Sequence, residues 1–312
     1  MSKICVLGGN GFIGTNFIDR MLCRESVTNI DCEEKEDDPF KGRQGYGYIK
    51  AGIGEVDAVD LRVNESDYVV NFAAHTHVDV SIKDPVSFAE NNILDTMNVL
   101  ESCKKFNKPL FHISTDEVYG ELMYGDAHEK DPILPNNPYS VTKASIDLMI
   151  RAYRRTYGCK MTCIRLCNNF GPYQSADKFI PVVITRALLG QDVPIYGNGL
   201  QVRQWLYVKE TCRAIEFIIR HVMETNGHGV FNVPCTMECS NIALAEKILG
   251  YLSADKSLLK FVEDRKGHDI RYGLSGGKIK SIGWSSNRDF NADLFDTVQW
   301  YKENQDWWKG KV

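Results

Sequence analysis

A glycine-rich turn between the first apolar run and the first helical stripe constrains this chain more than any other feature. The run "KICVL" is followed directly by "GGNGFIG", which spaces Gly8, Gly11 and Gly14 three residues apart. Apolar residues at helical spacing then extend from Phe12 to Met21. Strand, glycine turn and helix in this order predict the first turn of a dinucleotide-binding sheet, where a pyrophosphate lies against bare backbone at a helix N-terminus.

Apolar runs and helical stripes alternate through the rest of the first half. Strands are predicted at "VTNID", "YVVNFAA", "PLFHIS" and "KMTCIRL", with one long helix near 85–106 and another from Asn137 to Gly158. This alternation predicts an α/β fold, a Rossmann-type doubly wound parallel sheet covered on both faces. After residue 167 the elements are shorter and punctuated by Gly and Pro. We therefore expect a dinucleotide-binding domain at 1–167, completed by parts of 200–235, and a smaller α/β substrate lobe at 168–312.

Composition excludes several classes of protein. The 312 residues carry a formal net charge of −4 without a basic block, which argues against binding to nucleic acid or an anionic membrane. No apolar run reaches the roughly 18 residues of a membrane-spanning helix. The first predicted strand begins so early that we expect no room for a signal peptide before it. We expect a cytoplasmic protein with thiol cysteines. The cysteine spacings, without CxxC, predict no metal site, and the acidic run at 33–38 is expected to be a solvated loop.

Asp31 ends the second predicted strand, at the position from which a carboxylate can accept hydrogen bonds from both hydroxyls of an adenosine ribose. The same carboxylate would repel a 2′-phosphate. Asp31 therefore favours NAD over NADP.

Two polar motifs in the first half contain side chains that could act as acids or bases in catalysis. "YSVTK" places Tyr139 and Lys143 one helical turn apart. Alone they would be ordinary surface residues, but beside a dinucleotide the ammonium and the nicotinamide ring should lower the phenol pKa from about 10 and make it a base. "STDEVYG" puts a hydroxyl and two acids, Thr115, Asp116 and Glu117, where a buried strand ends.

Together these motifs resemble those of the extended short-chain dehydrogenase/reductase superfamily. Within it, "STDEVYG" is similar to the nucleotide-sugar 4,6-dehydratases, and the likeness continues through "PYSVTKAS", "NNFGPY", "VRQWLYV", "DRKGHDIRY" and "KIKSIGW". The resemblance implies a triad of Thr115, Tyr139 and Lys143. It further implies that Asp116 protonates the leaving C6 hydroxyl and that Glu117 removes the C5 proton. The epimerases and decarboxylases of the superfamily lack this Asp-Glu pair.

The resemblance also implies two sets of ligand-binding residues. NAD would lie against Gly8, Gly11, Phe12, Ile13, Gly14, Asp31, Ala73, Ala74, Tyr139 and Lys143. The nucleotide sugar would lie against Asn168, Asn169, Lys178, Tyr196, Arg203, Asn232, Arg265 and His268.

The implied activity is a hydro-lyase reaction that turns a nucleotide-diphosphate glucose, first of all dTDP-glucose, into its 4-keto-6-deoxy form. A homodimer and a place in deoxysugar biosynthesis, as of dTDP-rhamnose, are implied as well. The alternatives are the same reaction on UDP-glucose, a UDP-sugar epimerase or decarboxylase, and a non-enzymatic NAD-binding scaffold. Three positions depart from the family pattern, namely His75, Cys32 and Gly52-Ile53. Gly52-Ile53 leaves the contacts to adenine open, and the role of His75 stays open as well.

Overall fold

The computed structural model describes residues 1–35 and 38–311. Residues 36 and 37 of the acidic run lie outside the described residues, and its members Glu33 and Glu34 are exposed. The strands are β1 Lys3–Leu7, β2 Ser26–Asp31, β3 Tyr46–Lys50, β4 Tyr68–Asn71, β5 Leu110–Thr115, β6 Met161–Leu166, β7 Asn168–Phe170, β8 Val193–Tyr196, β9 Val202–Tyr207, β10 Val230–Val233, β11 Glu238–Ser240 and β12 Leu259–Val262. The α-helices are α1 Phe12–Met21, α2 Val56–Glu65, α3 Val78–Lys83, α4 Pro85–Ala89, α5 Thr96–Lys105, α6 Pro138–Tyr157, α7 Phe179–Leu188, α8 Val208–Thr225, α9 Asn241–Leu252, α10 Gly277–Ser281, α11 Phe290–Glu303 and α12 Gln305–Trp308.

The central sheet has the order β10-β6-β5-β4-β1-β2-β3, and all of its described pairs are parallel. The chain moves outward from β1 in one direction through β2 and β3, and in the other through β4, β5 and β6. In such a sheet a crevice opens at the carboxyl ends of the strands where the direction reverses, here between β1 and β4. The predicted doubly wound α/β fold is confirmed.

The strand β3 and the helix α2 in the first half were not predicted from the sequence, and neither was the short helix α3. The strand β3 is only half-buried, and the helix α2 buries just Val59 and Val63. Both therefore lack the strong apolar periodicity on which a prediction depends.

The prediction of one long helix near 85–106 is wrong in its middle. The helix α4 leads into a π-helical segment, Glu90–Asp95, before α5 begins. The buried Asn92 lies in that segment and donates hydrogen bonds to the His75 carbonyl at 2.9 Å and to Thr142 Oγ1 at 3.0 Å. One widened turn thus directs a polar side chain into contacts with the loop after β4 and with α6, a frequent use of π-helical turns.

Helix α6 follows its predicted bounds because both ends carry strong signals. Asn137 caps the N-terminus and forms a capping box with Ser140, and Pro138 occupies the first turn. Gly158 ends the helix with φ of +68°.

The C-terminal lobe contains the sheets β11-β9-β7 and β12-β8. Helices α7, α9 and α11 pack on it around a separate apolar core that includes Phe170, Leu244, Leu294 and Tyr301. Among the described helices, none is both long and apolar enough to cross a membrane.

Candidate active site

A cleft of about 950 Å³ lies between the carboxyl ends of the central strands and the C-terminal lobe. Its walls include the glycine turn, the end of β5, the first turn of α6 and residues of the smaller lobe. A cleft of this size, with polar groups converging from two lobes, is the usual place for a small-molecule site in such a fold.

The glycine turn brings β1, β4 and α1 closer together than side chains would allow. Gly8 has φ of +74°, and a Cβ on it would lie 2.5 Å from the backbone nitrogen of Ala73. A Cβ on Gly14 would lie 2.5 Å from the Gly8 carbonyl oxygen. Gly11, at the N-cap of α1, makes no side-chain cap, so the first amides of that helix are free of such a cap and can receive an anion. This cradle fits a pyrophosphate.

The Asp31 carboxylate is held in place at the end of β2. Its Oδ2 accepts a hydrogen bond from the Asn10 amide at 2.9 Å, and its Oδ1 accepts one from the Glu33 amide at 3.0 Å. Burial raises the pKa of Asp31, and these two amides oppose that rise. Each oxygen keeps a further lone pair for a ribose hydroxyl.

The predicted cofactor residues differ in their distance from the cleft surface. Phe12, Ile13 and Ala74 line it, together with the three glycines of the turn. Asp31 and Ala73 are not among the lining residues. Asp31 accepts a hydrogen bond from the backbone amide of Glu33, which is a lining residue. Ala73 packs behind Gly8, and its backbone amide donates a hydrogen bond to Asn71 Oδ1 at 3.0 Å.

Asp116 is a buried acid at the start of a 3₁₀ turn, Asp116–Tyr119, that follows β5. Its Oδ1 accepts a hydrogen bond from Thr115 Oγ1 at 3.0 Å, and its Oδ2 has no hydrogen-bond partner among the described residues. Burial, followed by the charge of Glu117, raises the pKa of Asp116 to about 7. Near neutral pH this group can therefore donate a proton.

Glu117 has different surroundings from its neighbour. Its Oε2 accepts a hydrogen bond from Asn137 Nδ2 at 3.1 Å. Burial raises the pKa of Glu117, whereas the bond from Asn137 and the charges of Arg203 and Arg265 lower it. The charge of Asp269 adds to the rise in the Glu117 pKa. The two adjacent carboxyls thus differ in the groups that oppose the effect of burial, which is how neighbouring acids can come to have different roles.

Tyr139 and Lys143 face the cleft from α6. Burial and the charges of Glu117 and Asp116 raise the pKa of Tyr139, while a hydrogen bond with Thr115 lowers it. The prediction that the lysine ammonium would lower this pKa is therefore not met in the protein alone. Lys143 Nζ instead donates to the Ile113 carbonyl at 2.6 Å, and burial lowers its own pKa to about 8.

Seven of the eight predicted substrate residues line the cleft: Asn168, Asn169, Lys178, Tyr196, Arg203, Arg265 and His268. Arg203 is held by a bond from its Nη2 to the Asp269 carbonyl at 2.8 Å and by the Tyr272 ring, 4.3 Å from its guanidinium carbon. Arg265 lies over the Tyr196 ring at 5.6 Å. This wall offers cations and an aromatic face together, which suits a nucleoside diphosphate.

The structure does not bring Asn232 to the cleft. Its side chain is fully buried on β10, where Nδ2 donates to the Ala127 carbonyl at 2.9 Å and Oδ1 accepts from the Tyr119 hydroxyl at 2.9 Å. Because β10 joins the central sheet beside β6, this residue serves the packing of the sheet edge. The predicted contact of Asn232 with substrate is therefore corrected.

Sequence reasoning missed several polar residues of the site. Asn137 positions Glu117, and His112 lies behind Lys143 with its Nε2 3.3 Å from Nζ. At the mouth of the cleft, Asp79 Oδ1 lies 3.4 Å from Arg265 Nε, and Asp177 Oδ2 lies 3.2 Å from His77 Nε2. Of these, Asn137 carried a readable signal, since it caps the helix that bears Tyr139.

Comparison with known proteins places the chain in a family. The profile of the NAD dependent epimerase/dehydratase family matches residues 4–233. The chain belongs to the NAD dependent epimerase/dehydratase family. The glycine cradle and the fixed carboxylate of Asp31 agree with the cofactor of this family. No group of three or more potential metal-binding side chains occurs in the described part of the chain.

Relatives in this family match over nearly their whole length. The low-salt glycan biosynthesis protein Agl12 of Haloferax volcanii is 38% identical over 96% of this chain and 98% of its own. The dTDP-glucose 4,6-dehydratase of Streptomyces niveus is 37% identical over 98% and 95%. The crystal structure of DesIV, the dTDP-glucose 4,6-dehydratase of Streptomyces venezuelae with NAD and TYD bound, is 34% identical, with a TM-score of 0.94 over 99% of this chain and all of that chain.

Proposed function

We propose that this protein is an NAD-dependent nucleotide-sugar 4,6-dehydratase, a hydro-lyase whose preferred substrate is dTDP-glucose. The observation that carries the proposal is the pair of adjacent acids, the buried Asp116 and the half-buried Glu117, beside Tyr139 in one cleft. An oxidoreductase or epimerase needs a base at O4 but has no step that uses both acids. The names of the similar dehydratases from Streptomyces support this reaction and a thymidine nucleotide.

In this proposal the two lobes divide the ligands. Residues 1–167, completed by β10, hold NAD through the glycine turn, Asp31, Ala73, Ala74, Tyr139 and Lys143. Residues 168–312 mainly hold the nucleotide sugar, with Lys178, Arg203 and Arg265 as cations for the diphosphate and Tyr196 as the aromatic face. When bound, NAD supplies the acceptor for the C4 hydride and the source of the hydride that C6 receives.

The residues of the chain perform the proton chemistry. Tyr139, as a phenolate, takes the proton of the C4 hydroxyl. Oxidation at C4 makes the C5 proton acidic, and Glu117 removes it. Asp116 gives its proton to the C6 hydroxyl, which leaves as water. Glu117 then returns a proton to C5, and the product is a 4-keto-6-deoxy sugar nucleotide, the type of precursor from which deoxysugars such as dTDP-rhamnose are made.

The experiment that tests this function is incubation of the purified protein with dTDP-glucose, UDP-glucose and CDP-glucose, with mass spectrometry of the products. We expect a keto product lighter by one water, formed fastest from dTDP-glucose. Substrate with deuterium at C4 should yield product with deuterium at C6. Return of the label to an inverted C4 without loss of water would show an epimerase, and a faster reaction with UDP-glucose would move the proposal to that nucleotide.

We also propose that the protein is a homodimer. Helices α4 and α6, with the π-helical segment between α4 and α5, leave four large apolar side chains exposed, namely Val86 at 64%, Leu94 at 60%, Leu148 at 49% and Val141 at 45%. These helices contact one another, so that a second copy could cover the shared face, and clustered apolar exposure of this kind is typical of an interface.

A further inference from the structure

Three buried polar side chains behind the cleft form one continuous row of contacts. Asn71 ends β4, His112 lies beside it on β5, and Lys143 reaches them from α6. Their exposed fractions are 0%, 1% and 5%. Lys143 lines the cleft, whereas Asn71 and His112 are not among its lining residues. Any effect of these two residues on a ligand must therefore pass through a neighbour, and Lys143 is the neighbour that faces the chemistry.

The backbone amide of Ala73 fixes the orientation of the Asn71 side chain. This amide donates to Asn71 Oδ1 at 3.0 Å, and because a backbone N–H can only donate, the oxygen of Asn71 must face it. Asn71 Nδ2, which is a donor, then lies 3.3 Å from His112 Nδ1. Burial lowers the pKa of His112 well below its usual value, so the ring is neutral. Nδ1 must therefore be the nitrogen without a proton, and Nε2 carries the proton.

The protonated nitrogen of His112 faces the lysine. His112 Nε2 lies 3.3 Å from Lys143 Nζ, and Nζ also donates to the Ile113 carbonyl at 2.6 Å. A lysine ammonium has three N–H groups and no lone pair, so it would meet the Nε2–H as donor against donor. An amine has two N–H groups and one lone pair. It can donate to Ile113, accept from His112 and keep one N–H for the cleft.

We propose that Asn71 and His112 are positioning residues that hold Lys143 as a neutral amine in the chain alone. An ammonium could form only with loss of the bond from Nε2–H, or with a change of tautomer that sets Nδ1–H against the Asn71 amide. This inference deepens the proposed function and rests on it for the role of Lys143.

The consequence for catalysis concerns the base. Burial and the charges of Glu117 and Asp116 raise the pKa of Tyr139, and a neutral Lys143 adds no positive charge to oppose that rise. Tyr139 therefore stays a phenol in the chain alone. The phenolate forms only when the positive charge of an oxidised nicotinamide is present, so that the base is made in a loaded site.

The other groups around Lys143 do not reverse this preference. Burial lowers the pKa of Lys143 to about 8, and the charges of Asp147 and Cys163 oppose that change. Asp147 is paired with Arg165, whose Nε donates to Asp147 Oδ2 at 2.7 Å, so part of its charge is already neutralised. Burial raises the pKa of Cys163 well above its usual value, so this thiol stays neutral. The N–H of His112 acts in the same direction as burial.

The test is nuclear magnetic resonance of the full-length protein with isotope-labelled histidine and lysine. The nitrogen shifts of the His112 ring report which nitrogen carries the proton, and the Cε shift of Lys143 against pH reports ionisation of its amine. The signals are assigned by their absence from His112→Gln and Lys143→Arg. We expect the proton on Nε2 both with and without bound NAD. Without NAD, the titration midpoint of Lys143 should be no higher than about 8.

Two substitutions should release the lysine. In Asn71→Asp one carboxylate oxygen can accept from the Ala73 amide and the other from Nδ1–H, so the tautomer reverses and Nε2 accepts from an ammonium. The midpoint of Lys143 should then rise by about one pH unit or more, the scale of one hydrogen bond. His112→Gln is the matched variant without an added charge. It should raise the midpoint as well, because its amide can turn the oxygen toward Nζ.

A wild-type His112 with its proton on Nδ1, or a Lys143 midpoint above about 8 without NAD, would overturn the proposal. An unchanged midpoint in a folded His112→Gln would do the same. The wild-type spectra decide even where a variant does not fold. None of these measurements uses turnover, so their failure is distinct from failure of the proposed function, which would appear as a protein that releases water from no nucleotide glucose.

Discussion

At the scale of single residues, two neighbouring acids of the site have different surroundings. Asp116 has an oxygen without a partner in the described residues and a pKa raised by burial to about 7. Glu117 is supported by Asn137 and by two guanidinium groups. The difference between the two carboxyls is that the charges of two guanidinium groups oppose the rise in the Glu117 pKa, whereas the charge of Glu117 adds to the rise in the Asp116 pKa.

Substitution of the base separates oxidation from elimination. In Glu117→Gln the side chain keeps its size but cannot take the C5 proton, so water loss should fall by roughly 10²–10⁴-fold while C4 oxidation continues. Stopped-flow absorbance should show reduced cofactor that accumulates with substrate, and mass spectrometry should show no dehydrated product. Glu224→Gln, at an exposed position on α8, is the control and should behave as wild type. Normal water loss in Glu117→Gln would remove Glu117 from its role.

The acid sets a limit on the pH range of activity. Asp116 must be protonated to assist the leaving hydroxyl, and its raised pKa keeps that form present up to about pH 7. The turnover number should therefore fall as the pH rises through about 7, by about tenfold per unit at higher pH, if elimination limits the rate. A pH–rate profile with an alternative substrate that carries fluoride at C6 is the comparison, because fluoride leaves with less help from an acid. An alkaline limb of the same size with both substrates would contradict the assignment.

At the scale of elements, the glycine turn depends on close approach of backbone to backbone. Gly14→Ala places a methyl 2.5 Å from the Gly8 carbonyl oxygen, so the turn must shift. We expect a loss of about 1–3 kcal/mol in stability and weaker NAD binding, measured by thermal unfolding and calorimetric titration. Gly250→Ala on α9 is the matched control, since a Cβ there has nothing within 4 Å and alanine favours the helix. Equal NAD affinity in Gly14→Ala would show that the cradle tolerates a side chain.

The N-terminus of α6 joins helix capping to catalysis. In Asn137→Asp the cap is kept, but a carboxylate replaces the amide that donates to Glu117 Oε2. This change raises the pKa of Glu117, because a like charge and a lost hydrogen bond both disfavour its ionised form. Turnover should therefore fall most at acidic pH and recover as the pH rises, without loss of thermal stability. Asp289→Asn, a cap-preserving change at the start of α11, should leave the pH–rate profile unchanged. A uniform loss across pH in Asn137→Asp would refute this role for Asn137.

At the scale of the whole molecule, the cleft lies between two lobes of the chain, each with its own apolar core. The proposed dimer would bring a second copy of the chain against α4 and α6. Leu148→Glu puts a charge in the middle of the proposed interface on α6, and burial of an unpaired charge is strongly unfavourable, so the dimer should dissociate. Light scattering at micromolar concentration is the measurement, and Leu61→Glu, at a position 50% exposed on α2, is the control. A wild-type protein that scatters as a monomer would contradict the dimer.

The sequence by itself determined the features that depend on local order along the chain. The strand, the glycine turn and helix α1 were readable because the turn needs glycines at fixed spacing. The bounds of α6 were readable because Asn137 and Gly158 lie next to the residues that they cap. The grouping of Thr115, Asp116 and Glu117 at a strand end followed from an apolar run that stops at a known residue. The family motifs then implied their roles.

The tertiary structure alone decided what depends on distant neighbours. The widened turn at Glu90–Asp95 serves Asn92 contacts with His75 and Thr142, which no local pattern shows. Asn232 was directed into the sheet edge because β10 pairs with β6, although its motif resembles that of a ligand-binding residue. The pKa of Tyr139 on α6 is raised by burial together with the charges of Asp116 and Glu117, which follow strand β5. Such effects are properties of the packed molecule, since desolvation and Coulomb interactions act through space and not along the sequence.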